Sequence, residues 1–183
     1  MYGNIKTDRL IMRIAKSDDA EAIFSYRSDF IENKYQGWLP DSVDEVRDYI
    51  NNMPQTIDVA DTCFQFTIIS TNENRLIGDM GISFTGHDKM QAEIGCTLHK
   101  DFQGKGYATE ALKAMVNYLF VTLKKHRVIA SIDPRNTASI RLIERLGFRK
   151  EAHFKESYSL RGEWVDDIIY AMLRKEWSNK EIK

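Results

Sequence analysis

The stretch Gln103-Gly104-Lys105-Gly106-Tyr107-Ala108 lies between two segments of opposite periodicity. Behind it, Ala108, Ala111, Leu112, Met115, Val116, Leu119, Phe120 and Leu123 recur at i, i+3, i+4 and i+7. That spacing predicts an amphipathic helix from Gly106 to Leu123. In front of it, Ala92 to Leu98 reads as a strand. Two glycines between a strand and a helix let the main chain approach a ligand closely. The helix start adds unpaired N–H groups and a partial positive charge, which together suit a phosphate or pyrophosphate. A Walker loop would need GxxxxGK[ST], but Lys105 lies between the glycines and no Ser or Thr follows it. A dinucleotide fingerprint would need Gly or Ala where Thr109 stands, inside a parallel βαβ unit. A glycine-rich turn that merely starts a helix is the plain alternative.

Working outward, the segments before the loop form an antiparallel meander. Phe64–Ile69, Leu76–Phe84 and Ala92–Leu98 read as strands, joined by turns at Asn72-Glu73-Asn74 and Gly86-His87-Asp88. Further upstream, residues 5–14 read as a strand, and Ser17-Asp18-Asp19 caps a helix carrying Ala20, Ile23, Phe24 and Arg27. Asp41-Ser42 with Glu45 forms a capping box for a second helix, with Val43, Val46, Tyr49 and Ile50 on its apolar face. Downstream, Val128–Ile132 is a buried strand ended by Pro134, and Asn136 caps a helix bearing Ile140, Leu142, Ile143 and Leu146. Gly147 stops that helix in a left-handed turn, with Phe148 placed for the hydrophobic contact. Two last strands, 148–159 and 164–174, meet around Arg161-Gly162. This order describes one mixed α/β domain over 1–183, with about four helices packed on a largely antiparallel sheet of about seven strands.

Composition narrows the function classes. The 183 residues are 43% hydrophobic and 29% charged, as in a soluble globular chain. Lys plus Arg total 26 and Asp plus Glu total 27, a net charge of −1, so nucleic-acid binding through a basic surface is excluded. Cys63 and Cys96 sit in apolar stretches and read as buried free thiols of a reducing compartment. His87, His99, His126 and His153 show no metal-pair spacing, so no metal is expected. No apolar signal core opens the chain, and the uncharged run Ala114–Leu123 falls far short of the ~20 residues of a membrane span. A cytoplasmic protein without membrane contact is the expectation.

Gln103-x-x-Gly106-x-Ala108 resembles the acyl-CoA pyrophosphate loop of the GNAT N-acetyltransferase superfamily. Asn136-Thr-Ala-Ser139 followed by Glu144-Arg-Leu-Gly147-Phe148 is similar to the family's next motif. Thr7-Asp8-Arg9-Leu10-Ile11-Met12-Arg13 resembles the opening strand of the RimJ/RimL-like branch, and Ala92-Glu93-Ile94-Gly95 its fourth strand. Tyr170-Ala171-Met172-Leu173, then Glu176-Trp177, fits the branch's ending, so the likeness spans roughly residues 6–177. The resemblance implies a sheet splayed between its fourth and fifth strands, acetyl-CoA as donor and a primary amine as acceptor. It implies that backbone groups of Cys96, Thr97 and Leu98 pair with the pantetheine arm. It further implies that Gln103 and the N–H groups of Gly104, Lys105, Gly106, Tyr107 and Ala108 hold the pyrophosphate, with Asn136 near the thioester. Arg141, with Arg135, Arg145 and Lys105, faces the CoA phosphates or simply covers a solvated helix face.

Amine acetylation needs a neutral amine, a polarised thioester carbonyl and a proton for the leaving thiolate. By its match to the branch's acidic position, Glu93 is the candidate base, directly or through water. Many family members carry a Tyr as leaving-group acid four residues before the Gly-Phe glycine; Ile143 stands there. Ser139 is the substitute candidate, with Tyr158 and Tyr170 as weaker ones. Tyr35 and Trp38 are candidates to line the acceptor groove. Residues 17–61 hold 11 acidic and 3 basic residues, net −8, leaving +7 elsewhere, a split that suits a cationic acceptor and an anionic donor. An α-amine of a protein N-terminus or small molecule is favoured as acceptor. A polyamine or aminoglycoside acetyltransferase, or a silent CoA-binding sensor, are the alternatives. A monomer or homodimer is expected.

Overall fold

The computed structural model describes residues 4–54, 56–86 and 88–178. The expected Gly86–Asp88 turn therefore lies partly outside them, at His87. Among the described residues eight strands form one sheet: β1 (Ile5–Lys6), β2 (Leu10–Ile14), β3 (Thr62–Ser70), β4 (Arg75–Thr85), β5 (Gln91–Leu98), β6 (Arg127–Ile132), β7 (Arg149–Leu160) and β8 (Glu163–Leu173). Their spatial order is β1-β2-β3-β4-β5-β6-β8-β7, antiparallel throughout except where β5 meets β6. The helices are α1 (Ala20–Arg27), α2 (Val43–Asn51), α3 (Tyr107–Asn117), α4 (Thr137–Arg145) and α5 (Arg174–Ser178).

The strand expected over 5–14 is broken, which makes eight strands of seven. Thr7 accepts the Leu10 N–H on its hydroxyl at 3.0 Å and donates its own N–H to the Leu10 carbonyl, so Thr7–Arg9 turn and β1 folds back on β2. A hydroxyl that bonds locally competes with the ladder. The helix expected to reach Leu123 is α-helical to Asn117 and then widens into a π turn over Tyr118–Thr122, closed by Leu123 N–H on the Tyr118 carbonyl. A buried apolar stripe does not register this change of hydrogen-bond spacing, since Leu119 and Phe120 stay in the core.

Several local signals are realised atom by atom. Ser42 Oγ accepts the Glu45 N–H at 3.1 Å, and the Glu45 carboxylate accepts the Asp41 N–H at 2.7 Å. At the end of α4, Phe148 N–H reaches the Ile143 carbonyl and Gly147 N–H the Glu144 carbonyl, the Schellman pattern. Arg161 and Gly162 both adopt left-handed φ, +52° and +83°, as a two-residue hairpin turn requires.

Alternation along the strands sorts the two faces of the sheet. One face carries Phe64, Met80, Ile82, Ala92, Val128 and Ala130 against α3 and α4 in the main core. The other carries Gln65, Thr67 and Asp79 towards α1, whose Ala20 and Ile23 pack with Val46 and Ile50 of α2 in a second, smaller core. Asp79 is wholly buried yet accepts from Tyr26 Oη, from the Arg27 guanidinium and from Gln65 Nε2 at 2.5–2.7 Å. A carboxylate this deep persists only because each lone pair is met.

Candidate active site

Strands β5 and β6 run parallel and pair at Gln91–Arg127, Ala92–Val128 and Glu93–Ile129. Beyond Glu93 the recorded pairing of these two strands stops, and a cleft opens between them. Its inner part, about 100 Å³, is lined by Ile94, Gly95 and Cys96 from β5, Ala130–Ile132 from β6, and Asn136, Ser139 and Ile143 from α4, with Tyr35 and Gln36 above. Its outer part, about 680 Å³, continues along Cys96, Thr97 and Leu98 to Gln103, Gly104, Gly106 and Ala108, and is bounded by Ser139, Arg141 and Arg145. The two parts share Tyr35, Gln36, Cys96, Asn136, Ser139 and Leu142, so they form one continuous groove.

The glycine loop is shaped for main-chain contact. Gly104 and Gly106 have φ of +71° and +83°, a region that side chains disfavour, and a Cβ on Gly104 would meet nothing within 4 Å. Gly106 is the N-cap of α3, so the N–H groups of its first turn have no intrahelical acceptor. Gln103 turns its amide back to the Leu98 carbonyl at 3.1 Å and so ties loop to strand while bordering the groove. Lys105 lays its ammonium over the Phe102 ring, and Tyr107 is buried under Arg9. Of these two, the main chain is what the loop presents.

Glu93 stands at the vertex of the splay, half-buried, with no ion pair or hydrogen bond to its carboxylate among the described residues. Burial, helped by the nearby Asp167 carboxylate, pushes its pKa up from the ordinary 4.5. Asp167 accepts from Ser131 Oγ at 2.8 Å, so a second carboxylate does accompany Glu93, which strand spacing did not reveal. Ser139 borders both parts of the groove; its N–H is capped by Asn136 Oδ1 at 3.1 Å, and its hydroxyl has no recorded partner. Ile143 is buried core. Tyr170 donates to Glu144 at 2.8 Å, which occupies its hydroxyl. Tyr35 lines the groove, whereas Trp38 stacks on Tyr49 at 4.6 Å and lies under Arg27 in the smaller core. Thr97 shares a face with Asp79, and its hydroxyl is buried without a partner, so the groove meets its main chain.

Two expectations about thiols are corrected. Cys63 is exposed, accepting from Tyr49 Oη at 3.4 Å, because alternation carries it to the face of β3 opposite Phe64. Cys96 is half-buried, and burial beside the Asp79 carboxylate holds its thiol up at about 12. A thiol held this high carries less thiolate at neutral pH than an ordinary cysteine.

A parallel pair that opens into a groove, next to a glycine loop capping a helix, is the architecture of acyl-CoA-dependent transferases, and the chain belongs to the GNAT family. Residues 9–149 match the model of the acetyltransferase (GNAT) domain. An uncharacterised N-acetyltransferase of Bacillus subtilis, YnaD, is 32% identical, covering 96% of this chain and 99% of its own. The [ribosomal protein uS5]-alanine N-acetyltransferase of Escherichia coli is 28% identical, covering 95% and 92%. A GNAT-family acetyltransferase of Bacillus anthracis superposes with a TM-score of 0.85 at 32% identity, covering 95% and 100%. A spermidine N-acetyltransferase of Vibrio cholerae, solved with CoA and spermine, superposes at 0.82 with 21% identity, covering 94% and 100%. The protein is an N-acetyltransferase that uses acetyl-CoA. The groove fits that donor: an open strand edge for an amide-rich arm, and αL glycines with free N–H groups for a pyrophosphate. Among the described residues no cluster could hold a metal ion, and no helix is long and apolar enough to cross a membrane.

Proposed function

We propose that the protein acetylates an α-amine, of a peptide N-terminus or a small molecule, by direct attack in a ternary complex with acetyl-CoA. The carrying observation is Glu93, a half-buried carboxylate with no recorded cation partner, at the vertex of the splay. Its raised pKa makes it a stronger base than a solvent-exposed carboxylate. An α-amine with pKa near 7.7–8.0 is roughly a quarter neutral at pH 7.4, against about one in a thousand for a lysine-type amine. A carboxylate base therefore has less to do on an α-amine. Acetyl-CoA supplies the acetyl group as a thioester. Glu93 takes the ammonium proton, directly or through water. Main-chain groups of Cys96–Leu98 and of the Gly104–Ala108 loop bind and orient the donor. The neutral nitrogen then attacks the thioester carbonyl, the C–S bond breaks, and the Ser139 hydroxyl at the groove relays the second proton shed by the nitrogen to the departing sulfur. Tyr35 covers the meeting point of the two substrates. The E. coli relative, named for an alanine of a ribosomal protein, supports an N-terminal acceptor.

The polycation alternative rests on the acidic 17–61 segment, and that charge stands mostly away from the groove. Asp19 and Asp58 pair with Arg13 and Lys125 outside the segment, Asp44 pairs with Arg47 inside it, and Arg27 is taken up by Asp79, so the segment keeps most of its net charge. Of the segment's carboxylates, Glu32 borders the groove, next to Lys34.

Thiol release from acetyl-CoA tests the assignment with three acceptors: the peptide Ala-Ala-Lys-Ala-Lys, its Nα-blocked form, and spermidine. Turnover of the free peptide but not the blocked one is expected. Turnover of spermidine alone would replace this reading with the polyamine one. Binding of acetyl-CoA without turnover of a broader amine panel would leave a CoA-binding module.

A further inference from the structure

The segment 28–38 runs over the groove between α1 and α2, has no regular element of its own, and contributes Tyr35 and Gln36 to its inner part. One side chain far away in sequence holds its main chain. Arg161, at the tip of the β7–β8 hairpin, donates from Nη1 to the Lys34 carbonyl at 2.9 Å and from Nη2 to the Gln36 and Asn33 carbonyls at 2.8 and 3.3 Å. The Phe30 ring lies 5.2 Å from the same guanidinium. The hairpin touches the segment a second time: a Cβ on Gly37 would come within 2.5 Å of Tyr158 Oη. Arg161 sits at φ +52°, where Asn, Asp or Gly is the ordinary occupant. A residue disfavoured by its backbone and bonded to three carbonyls of another element is best explained by those bonds.

We infer that Arg161 is a positioning residue for the acceptor half of the site. It fixes Asn33–Gln36 so that Tyr35 and Gln36 cover the inner groove before any amine arrives. A planar guanidinium meets several carbonyls at once; an ammonium of similar reach meets fewer. The donor half is held separately, by Arg9, which bonds Glu110 and the Lys105 carbonyl. The inference rests on the proposed acceptor groove, but its first test does not.

Hydrogen–deuterium exchange of the whole protein decides the clamp. Arg161→Met should raise exchange in residues 29–38 at least several-fold and leave β3–β5 unchanged, with Arg161→Lys intermediate. Steady-state kinetics with Ala-Ala-Lys-Ala-Lys decides the function: KM for the peptide should rise ~10-fold, the scale of losing a few charged hydrogen bonds, with KM for acetyl-CoA and kcat changed less than about twofold. Gly37→Ala, which pushes on Tyr158 from the other side, should change the same KM in the same direction. Unchanged exchange in 29–38, or equal loss of acetyl-CoA affinity, overturns the inference. If wild type ignores the peptide, the α-amine reading fails, while the exchange result still decides whether Arg161 holds the segment.

Discussion

Glu93 and Asp79 lie on the same face of the sheet, one half-buried without a partner and the other wholly buried and fully paired. Asp79 meets four donors and holds α1 to the sheet. Asp79→Ala would leave Arg27, 5% exposed, as an uncompensated buried charge. Unfolding in urea should then show a loss of about 3–5 kcal/mol. Glu93 has no such compensation. Glu93→Gln should lower kcat by roughly 10²–10⁴ and leave acetyl-CoA affinity nearly intact. The folded-state pKa of Glu93 is raised, so its contribution to stability is fully present below its unfolded value and is lost as pH rises through the raised one. The melting temperature of Glu93→Gln relative to wild type should therefore climb as pH rises above the ordinary 4.5 of a glutamate. A variant that is more stable but less active would identify Glu93 as a group kept for chemistry; a Glu93→Gln with wild-type kcat would remove it from the mechanism.

At the scale of elements, the caps separate binding from structure. Asn136 caps α4 through the Ser139 N–H, a main-chain donor that Ser139→Ala retains. Ser139→Ala should thus lower kcat with an unchanged melting temperature, whereas Asn136→Ala should cost about 1 kcal/mol of stability. Parallel losses of activity and folded protein in Ser139→Ala would make the hydroxyl structural. In the loop before α3, Gly106→Val places a β-branched residue at φ +83°, with its Cβ 3.4 Å from Arg9. Calorimetry with CoA should show binding lost in a folded variant. These elements were legible because their signals are local: a cap, a left-handed glycine, a 3.6-residue stripe. The break at Thr7–Arg9 was missed because the local bond of Leu10 N–H to the Thr7 hydroxyl is held in place by Glu110, which accepts from Thr7 Oγ1 and Arg9 across more than a hundred residues. The Arg161 clamp and the Asp167 neighbour of Glu93 were missed for the same reason. Trp38, expected at the groove, packs on Tyr49 against the smaller core, because an aromatic in a loop carries no mark of which side it faces.

At the scale of the molecule, residues 17–61 keep most of their −8 against +7 elsewhere, but of their carboxylates it is Glu32 that borders the groove, and exposed charges are screened beyond ~8 Å at 0.15 M salt. Neutralising Asp41, Asp44 and Glu45 together should therefore move peptide kcat/KM by less than about threefold. Asp44 already faces Arg47, and Glu45 already serves as a cap. A large salt-sensitive loss would restore the acidic roof as a recognition surface. The splay has a different global consequence. β1–β5 and β6–β8 are joined in the sheet through the short register Gln91–Glu93 with Arg127–Ile129, and the rest of the seam is the groove itself. In the proposed binding mode, CoA lying along Cys96–Leu98 would act thermodynamically as a missing strand, tying together two halves that otherwise meet at a narrow waist. Free CoA at a hundred times its Kd adds about 2.7 kcal/mol to stability by mass action alone. Amide protection should rise most along β5 and β6, on both sides of that waist, so that the donor substrate also serves as part of the protein's own framework.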